Sequence, residues 1–328
     1  MDQINWGIIG CGKVTELKSG PAFSKVENSR LVAVMRRDAA MAADYALRHN
    51  VSKWYSNADQ LINDPEVNAV YVATPPSTHA EYAIRVMRAG KPVYVEKPMA
   101  MNEAECREMI KVSKETGQPL FVAYYRRSLP YFVKIKELID SKVIGDVRMV
   151  NLKLHNPLKP EELNPDQQVG WRVDPTISGG GHFHDLASHQ LDYLIYLLGP
   201  VKTAKGISAN QAGLYAADDA TVALIEFESG AMFTGSWCFS VPQNQTTDVT
   251  EIVGAKGKLT FSFFGKPEII IEKENGEVER LEIPYPQHVQ HPNITSMVKT
   301  LQGNGVCPST GESAIWTTIL MDQITAKI

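Results

Sequence analysis

Ile4-Asn5-Trp6-Gly7-Ile8-Ile9 runs without a break into Gly10-Cys11-Gly12. The first six residues read as a short strand buried on both faces. Gly10 then permits a tight turn. Gly12 leaves the backbone open to close approach by a pyrophosphate at the start of a helix whose first residues are Lys13 and Val14. A strand, a glycine turn and a helix at the head of an alternating chain point to dinucleotide binding. Two glycines alone also fit a strand–helix turn that binds nothing, and the third small position is Thr15 rather than glycine or alanine.

Outward from this stretch the alternation continues. Strands are predicted at Arg30–Met35, Ala69–Ala73, Pro92–Glu96 and Leu120–Tyr124, each short and rich in valine, isoleucine or tyrosine. Helices are predicted near Ala39–Arg48, Ala58–Asn63, Ser77–Ala89 and Asn102–Thr116, with Ser77 and Asn102 as N-caps and Gly90 and Gly117 at the C-terminal ends. This rhythm predicts an α/β domain over residues 1–124, a doubly wound parallel sheet with helices on both faces. After a helix at Pro130–Ser141 the rhythm changes. Extended runs follow at Val147–Leu154, Lys202–Ala209, Thr221–Glu228, Ala231–Phe239, Thr247–Val253, Lys258–Ser262, Ile269–Lys273 and Val278–Ile283. Turns such as Ser229-Gly230 and Asn275-Gly276 join neighbours in hairpin fashion. One helix interrupts them at about Gly181 to Leu198, and another begins near Ser313. Residues 125–328 are therefore expected to form a C-terminal α+β domain with a large, mostly antiparallel sheet. The proline-rich loop Asn156–Pro175 is long enough to suggest a role over a site.

Composition sets ordinary bounds. The 328 residues are 44% hydrophobic and 21% charged, enough for two cores. A net charge of −4 gives no general attraction to nucleic acid or anionic membranes. No apolar run is long enough to span a bilayer and no leader pattern is present. Cys11, Cys106, Cys238 and Cys307 form no pair motif, so they are expected to be reduced thiols in a cytoplasmic protein.

Several groups of residues bear chemistry. Val93-Tyr94-Val95 ends in Glu96-Lys97-Pro98, which puts a lysine at the carboxyl edge of the sheet, where ligands of open α/β sheets bind. After the second strand come Arg36 and Arg37 instead of the acid that would bind a ribose hydroxyl, which favours NADP with NAD possible. The alternative is a pair of solvated arginines with Asp38 capping the next helix. Thr74, Pro75 and His79 follow the next main strand, either beside the dinucleotide or as a rigid turn. Gly179-Gly180-Gly181 precedes a helix carrying Asp185, His189 and Asp192, and glycines there let another group come close. Asp185 and His189, four apart, can orient and tune each other for proton transfer. A metal site is the lesser reading of this stretch, and Asp192 reads best as a buried structural group.

Together these pieces resemble the Gfo/Idh/MocA family, the oxidoreductases grouped with glucose–fructose oxidoreductase and inositol dehydrogenase. The matching residues are Gly10-Cys11-Gly12, Ala73–His79, Glu96-Lys97-Pro98, Trp171-Arg172 and Gly179–Asp192, spread over nearly the whole chain. The resemblance implies a Rossmann domain, a C-terminal sheet domain and a substrate between them. It implies that Lys97, Asp185 and His189 form the catalytic group, with either Lys97 or His189 carrying the proton. It also implies that Glu96 and Lys97 adjoin the cofactor, that Arg126 contacts substrate or nicotinamide, and that Trp171 contacts substrate. Met35-Arg36-Arg37 looks like NADP-using members such as dihydrodiol dehydrogenase. The expected activity is hydride transfer between NAD(P) and a carbinol or carbonyl of a sugar, cyclitol or related diol, in a homodimer or homotetramer. Two other readings are a member that retains its nucleotide for net non-redox sugar chemistry and a non-catalytic nucleotide-sensing regulator. An intact Lys97, Asp185 and His189 argue against the regulator.

Overall fold

A computed structural model describes residues 1–160 and 170–326. The chain forms two compact units, Met1–Leu129 with Pro286–Ile315 and Pro130–Tyr285 with Trp316–Ile328.

The first unit holds a six-stranded sheet of β1 (Ile4–Ile9), β2 (Ser29–Met35), β3 (Lys53–Tyr55), β4 (Ala69–Val72), β5 (Val93–Val95) and β6 (Leu120–Val122). Their order is β3-β2-β1-β4-β5-β6 and every pair is parallel. Ile9 lies opposite both Met35 and Val72, so the loops after β1, β2 and β4 open on the same edge. Asp38 caps helix Ala39–Arg48 by accepting the Met41 N–H at 3.1 Å, and Asn102 caps Glu103–Thr116 by accepting that of Glu105 at 3.0 Å. Gly117 ends the latter helix at φ +68. Ser77 does not cap. Pro75 and Pro76 set a tight 3₁₀ turn over Pro76–Thr78, and the helix starts only at His79.

Three features escaped the sequence pattern. β3 is a three-residue edge strand, and the helix expected from Lys13 ends at Leu17 and is followed by a second short one at Gly20–Phe23. The third is helix His291–Leu301. Its buried face, Ile294, Met297 and Val298, shares a core cluster with Trp6, Phe23 and Tyr94. Residues 286–315, expected in the C-terminal domain, therefore belong to the compact unit built on the parallel sheet.

The second unit carries an eight-stranded sheet: β7 (Val147–His155), β8 (Val201–Ala209), β9 (Ala220–Phe227), β10 (Met232–Cys238), β11 (Thr247–Gly254), β12 (Gly257–Phe261), β13 (Glu268–Lys273) and β14 (Val278–Glu282). The order is β14-β13-β12-β11-β7-β10-β9-β8, and only β7 and β10 run parallel. Strict alternation buries Ala223, Ile225 and Phe227 of β9 and Phe233 and Trp237 of β10 on one face. Trp237 donates its indole N–H to Gln190 of helix Ser188–Leu198 at 2.7 Å, fixing that helix to the sheet. On the other face Ile207, Val222, Leu224 and Met232 are half or more exposed. Of the loop expected over 156–175, residues 161–169 lie outside the described residues.

Candidate functional site

At the carboxyl edge of the parallel sheet the glycine turn is shaped by its neighbours. Gly10 has φ +91, and a side chain there would meet Thr74 Cγ2 at 2.7 Å. Gly12 is open: a Cβ would find only the Gly10 carbonyl oxygen, 3.8 Å away, so the space beside its Cα admits the close approach a pyrophosphate needs. Thr15 explains its own presence at the third small position. Its buried hydroxyl accepts the Gly12 N–H at 3.0 Å and donates to the Gly12 carbonyl at 2.8 Å, closing the turn. Lys13 is exposed and Val14 half-buried.

The residues after the other strands gather on the same edge. Arg36 is half-buried and donates to the Cys11 carbonyl at 3.2 Å, whereas Arg37 is exposed. Arg36 also lines a cleft of about 310 Å³ with Ala40, Met41 and Asp44. Thr74 and Pro75 are half-buried, and the Thr74 hydroxyl accepts from Thr78 at 2.8 Å. His79 is fully buried, its Nδ1 2.9 Å from the Pro98 carbonyl and its Nε2 2.8 Å from the Thr74 carbonyl. With both nitrogens against its own backbone the ring braces the two loops, which leaves it no face for the direct cofactor contact expected from sequence. Burial holds its pKa below the ordinary value. The Lys97–Pro98 peptide is cis, and Lys97 is half-buried. Glu96 is buried beneath it. Arg126, after β6, is also buried, stacked over Tyr125 at 5.3 Å and donating to its hydroxyl at 3.4 Å.

In the second unit the glycine run admits a close group, as the sequence suggests, and that group is part of the protein itself. Gly179, Gly180 and Gly181 all have positive φ. A Cβ on Gly180 would lie 2.1 Å from His184 Nδ1, and one on Gly181 would lie 2.5 Å from the Ala217 Cβ. The close group is thus the protein's own His184 and Ala217. Burial pushes the His184 imidazole down to about 4. Phe183–Ala187 forms a widened π turn before the α-helix begins at Ser188, so Asp185 and His189 lie on either side of a change in helical pitch. Arg172 Nε lies 3.3 Å from Asp185 Oδ2, and the same guanidinium sits 4.6 Å over the Trp171 ring. Sequence reasoning placed Trp171 at the site but missed Arg172 as the partner of Asp185. His189 is buried with its ring 6.3 Å from Phe264, whose loop is held by Asp248 accepting the N–H groups of residues 263 to 265. Asp192 is fully buried and accepts from Thr317 at 3.2 Å. Among the described residues no group of three or more His, Cys, Asp or Glu is arranged to hold a metal ion.

Comparison with known proteins decides the class. Residues 4–124 match the model of the oxidoreductase family with an NAD-binding Rossmann fold, and residues 132–260 match the GFO/IDH/MocA C-terminal domain. Over 320 residues, 98% of each chain, the sequence is 42% identical to Oxidoreductase P35 of Formosa agariphila. The chain belongs to the Gfo/Idh/MocA oxidoreductases. As a member it is an NAD(P)-dependent dehydrogenase or reductase, and its parallel sheet is the Rossmann domain of that family. Its fold is shared by a levoglucosan dehydrogenase in complex with NADH and levoglucosan (TM-score 0.86, 21% identity, 98% of this chain and 96% of that one). A 3-ketoreductase from Actinomadura kijaniata in complex with NADP and TDP-benzene shares it as well (TM-score 0.84, 20% identity, 98% and 97%). The described part of this Gfo/Idh/MocA chain has no helix long and apolar enough to cross a membrane.

Proposed function

We propose that the protein transfers hydride between NADP and a carbinol or carbonyl carbon of a sugar, cyclitol or related diol. The observation that carries this reading is the gathering on one sheet edge of an open glycine turn, Arg36 and Arg37 after β2, and Lys97 after β5. Two arginines without a carboxylate at the end of β2 favour a 2′-phosphate over a bare ribose. The sugar class is supported by the levoglucosan of the levoglucosan dehydrogenase complex.

Gly10, Gly12, Lys13, Val14, Thr74 and Pro75 would hold the dinucleotide, which supplies a two-electron hydride acceptor or donor when bound. The Lys97 ammonium donates a hydrogen bond to the reacting oxygen and stabilises alkoxide character there. In the oxidative direction the carbon would give up its C–H pair as hydride to the bound dinucleotide, and His189 or Lys97 would take the hydroxyl proton, leaving a carbonyl. Asp185, held by Arg172, orients that imidazole or binds a neighbouring hydroxyl. Trp171 and Arg126 are the substrate contacts of this reading. Pairing through the exposed apolar face of the eight-stranded sheet, as a homodimer or homotetramer, belongs to it too.

A screen of pyranoses, cyclitols and diols with NADP and NAD, read by absorbance of reduced nicotinamide, tests the activity. In Lys97→Met, turnover on the substrate so found should fall by about a hundredfold or more, with NADP affinity and Tm near the parent values. Substantial activity in Lys97→Met would overturn the assignment. A parent that binds NADP and turns over nothing would favour a nucleotide sensor.

A further inference from the structure

Glu96 is buried, yet its carboxylate is surrounded by donors. The Tyr71 hydroxyl donates to Oε1 at 2.5 Å, the Gln290 amide donates to the same oxygen at 2.7 Å, and the Lys97 backbone N–H reaches Oε2 at 3.2 Å. An interior carboxylate is tolerated only with such partners, so each of these bonds constrains where the group points. The chain of bonds goes further. Gln290 Oε1 accepts the Tyr94 hydroxyl at 2.7 Å, Tyr94 in turn accepts from Asn293 at 3.3 Å, and Asn293 Oδ1 accepts from Ser128 at 3.2 Å. One buried network thereby links the turn after β5, which carries Lys97, to the turn after β6, which carries Arg126. Burial raises both phenols well above their ordinary pKa, and the Glu96 charge adds to it, so Tyr71 and Tyr94 remain donors throughout the working pH range. The two rings stack at 4.8 Å and have no room to swing aside.

The hydride chemistry does not call on Gln290 or Tyr71 directly, and neither belongs to the dinucleotide turn. We propose that Gln290 and Tyr71 are positioning residues that act through Glu96 to fix the direction in which Lys97 leaves the sheet edge. The inference rests on the reading of Lys97 given above. It also gives Glu96 an inward task, holding the turn, in place of a contact with the cofactor. A lysine side chain has four torsions, and what the fold can set is its Cα position and the direction of its backbone. The Glu96 carboxylate sets both through the Lys97 N–H, while His79 holds the Pro98 carbonyl.

Gln290→Met keeps the side chain's length and removes both polar ends. Its kcat should fall by about tenfold or more, since a displacement near 1 Å at a catalytic group costs up to about a hundredfold. The NADP dissociation constant and the substrate KM should stay within about twofold of the parent, because only the transition-state contact is loosened. In Lys97→Met, adding Gln290→Met should lower the residual rate no further, whereas independent, multiplying losses would show that Gln290 acts by another route. Tyr71→Phe removes one oxygen and should show the same split between kcat and KM. It carries the test alone if Gln290→Met does not fold. Parent kcat in folded Tyr71→Phe or Gln290→Met, with Lys97→Met inactive, overturns this inference and leaves the Lys97 assignment standing. Activity in Lys97→Met overturns that assignment instead.

Discussion

Arg36 and Arg37 are neighbours in sequence with opposite surroundings. Arg36 is tied to the Cys11 carbonyl of the glycine turn, so its guanidinium supports the loop that would cradle the pyrophosphate. Arg37 is exposed and available to a 2′-phosphate. The two should therefore fail differently. Arg37→Ala should weaken NADP selectively, by about 1.5–3 kcal/mol for a lost charge-assisted contact, and leave NAD affinity close to the parent. Arg36→Ala should weaken both cofactors together. Titration of each variant with NADPH and NADH by fluorescence checks this, and equal affinities in the parent, unmoved by Arg37→Ala, would refute it. Two arginines at the end of β2 are plain in the sequence. Their different surroundings are not, because the tie of Arg36 depends on a carbonyl 25 residues earlier in the chain.

The segment from the glycine run to the helix is an element built around one buried imidazole. His184 titrates near 4 in the folded protein against 6.5 for an ordinary histidine. Between those values the unfolded chain binds a proton that the folded chain refuses. Stability is thus fully present above pH 6.5 and is lost as pH falls toward 4, by about 3 kcal/mol in all. Thermal melts from pH 7 to pH 4 should show a fall in Tm that is distinctly shallower in His184→Gln; parallel curves for the two proteins would refute the assignment. At this scale the sequence was a good guide where periodicity was strong. All eight strands of the second sheet and the capped helix at Glu103–Thr116 follow from alternation and end signals. It was a poor guide where a local rule was overridden, as when Pro75-Pro76 displaced the helix start from Ser77. Helix His291–Leu301 carries its apolar residues at helical spacing and a proline, Pro292, suited to its first turn, but no side chain caps its start. The three glycines signalled a close approach, but not by what, because His184 and Ala217 are invisible until the chain folds back on them.

Across the whole molecule, the bare sheet face offers the clearest expectation. Ile207 of β8 lies opposite Val222 of β9, and Leu224 and Met232 extend the exposed row across β9 and β10. Exposed apolar rows of this kind are where chains commonly associate, and pairing through this one is the expectation. Light scattering at micromolar concentration should give the mass of a dimer or tetramer, and Leu224→Glu should shift it toward the monomer without loss of secondary structure. A monomeric parent would count against pairing through this face. Long-range partnerships were the least legible part of the chain. Gln290 and Glu96 meet across 194 positions, and no pattern local to either residue announces it.

That separation bears on how the protein is made. The parallel sheet leaves the ribosome before the other sheet, but Ile294, Met297 and Val298, which complete its core, are synthesised only after all eight strands of that second sheet. Until then Trp6, Phe23 and Tyr94 lack part of their packing, and the Glu96 carboxylate lacks its Gln290 donor. Closing so long a loop is entropically slow, and the exposed apolar surface is the kind that chaperones hold. The parallel-sheet unit is thus among the last parts of the two units to finish folding, and a fragment ending at residue 129 would carry the glycine turn and Lys97 on a sheet that cannot close its own core.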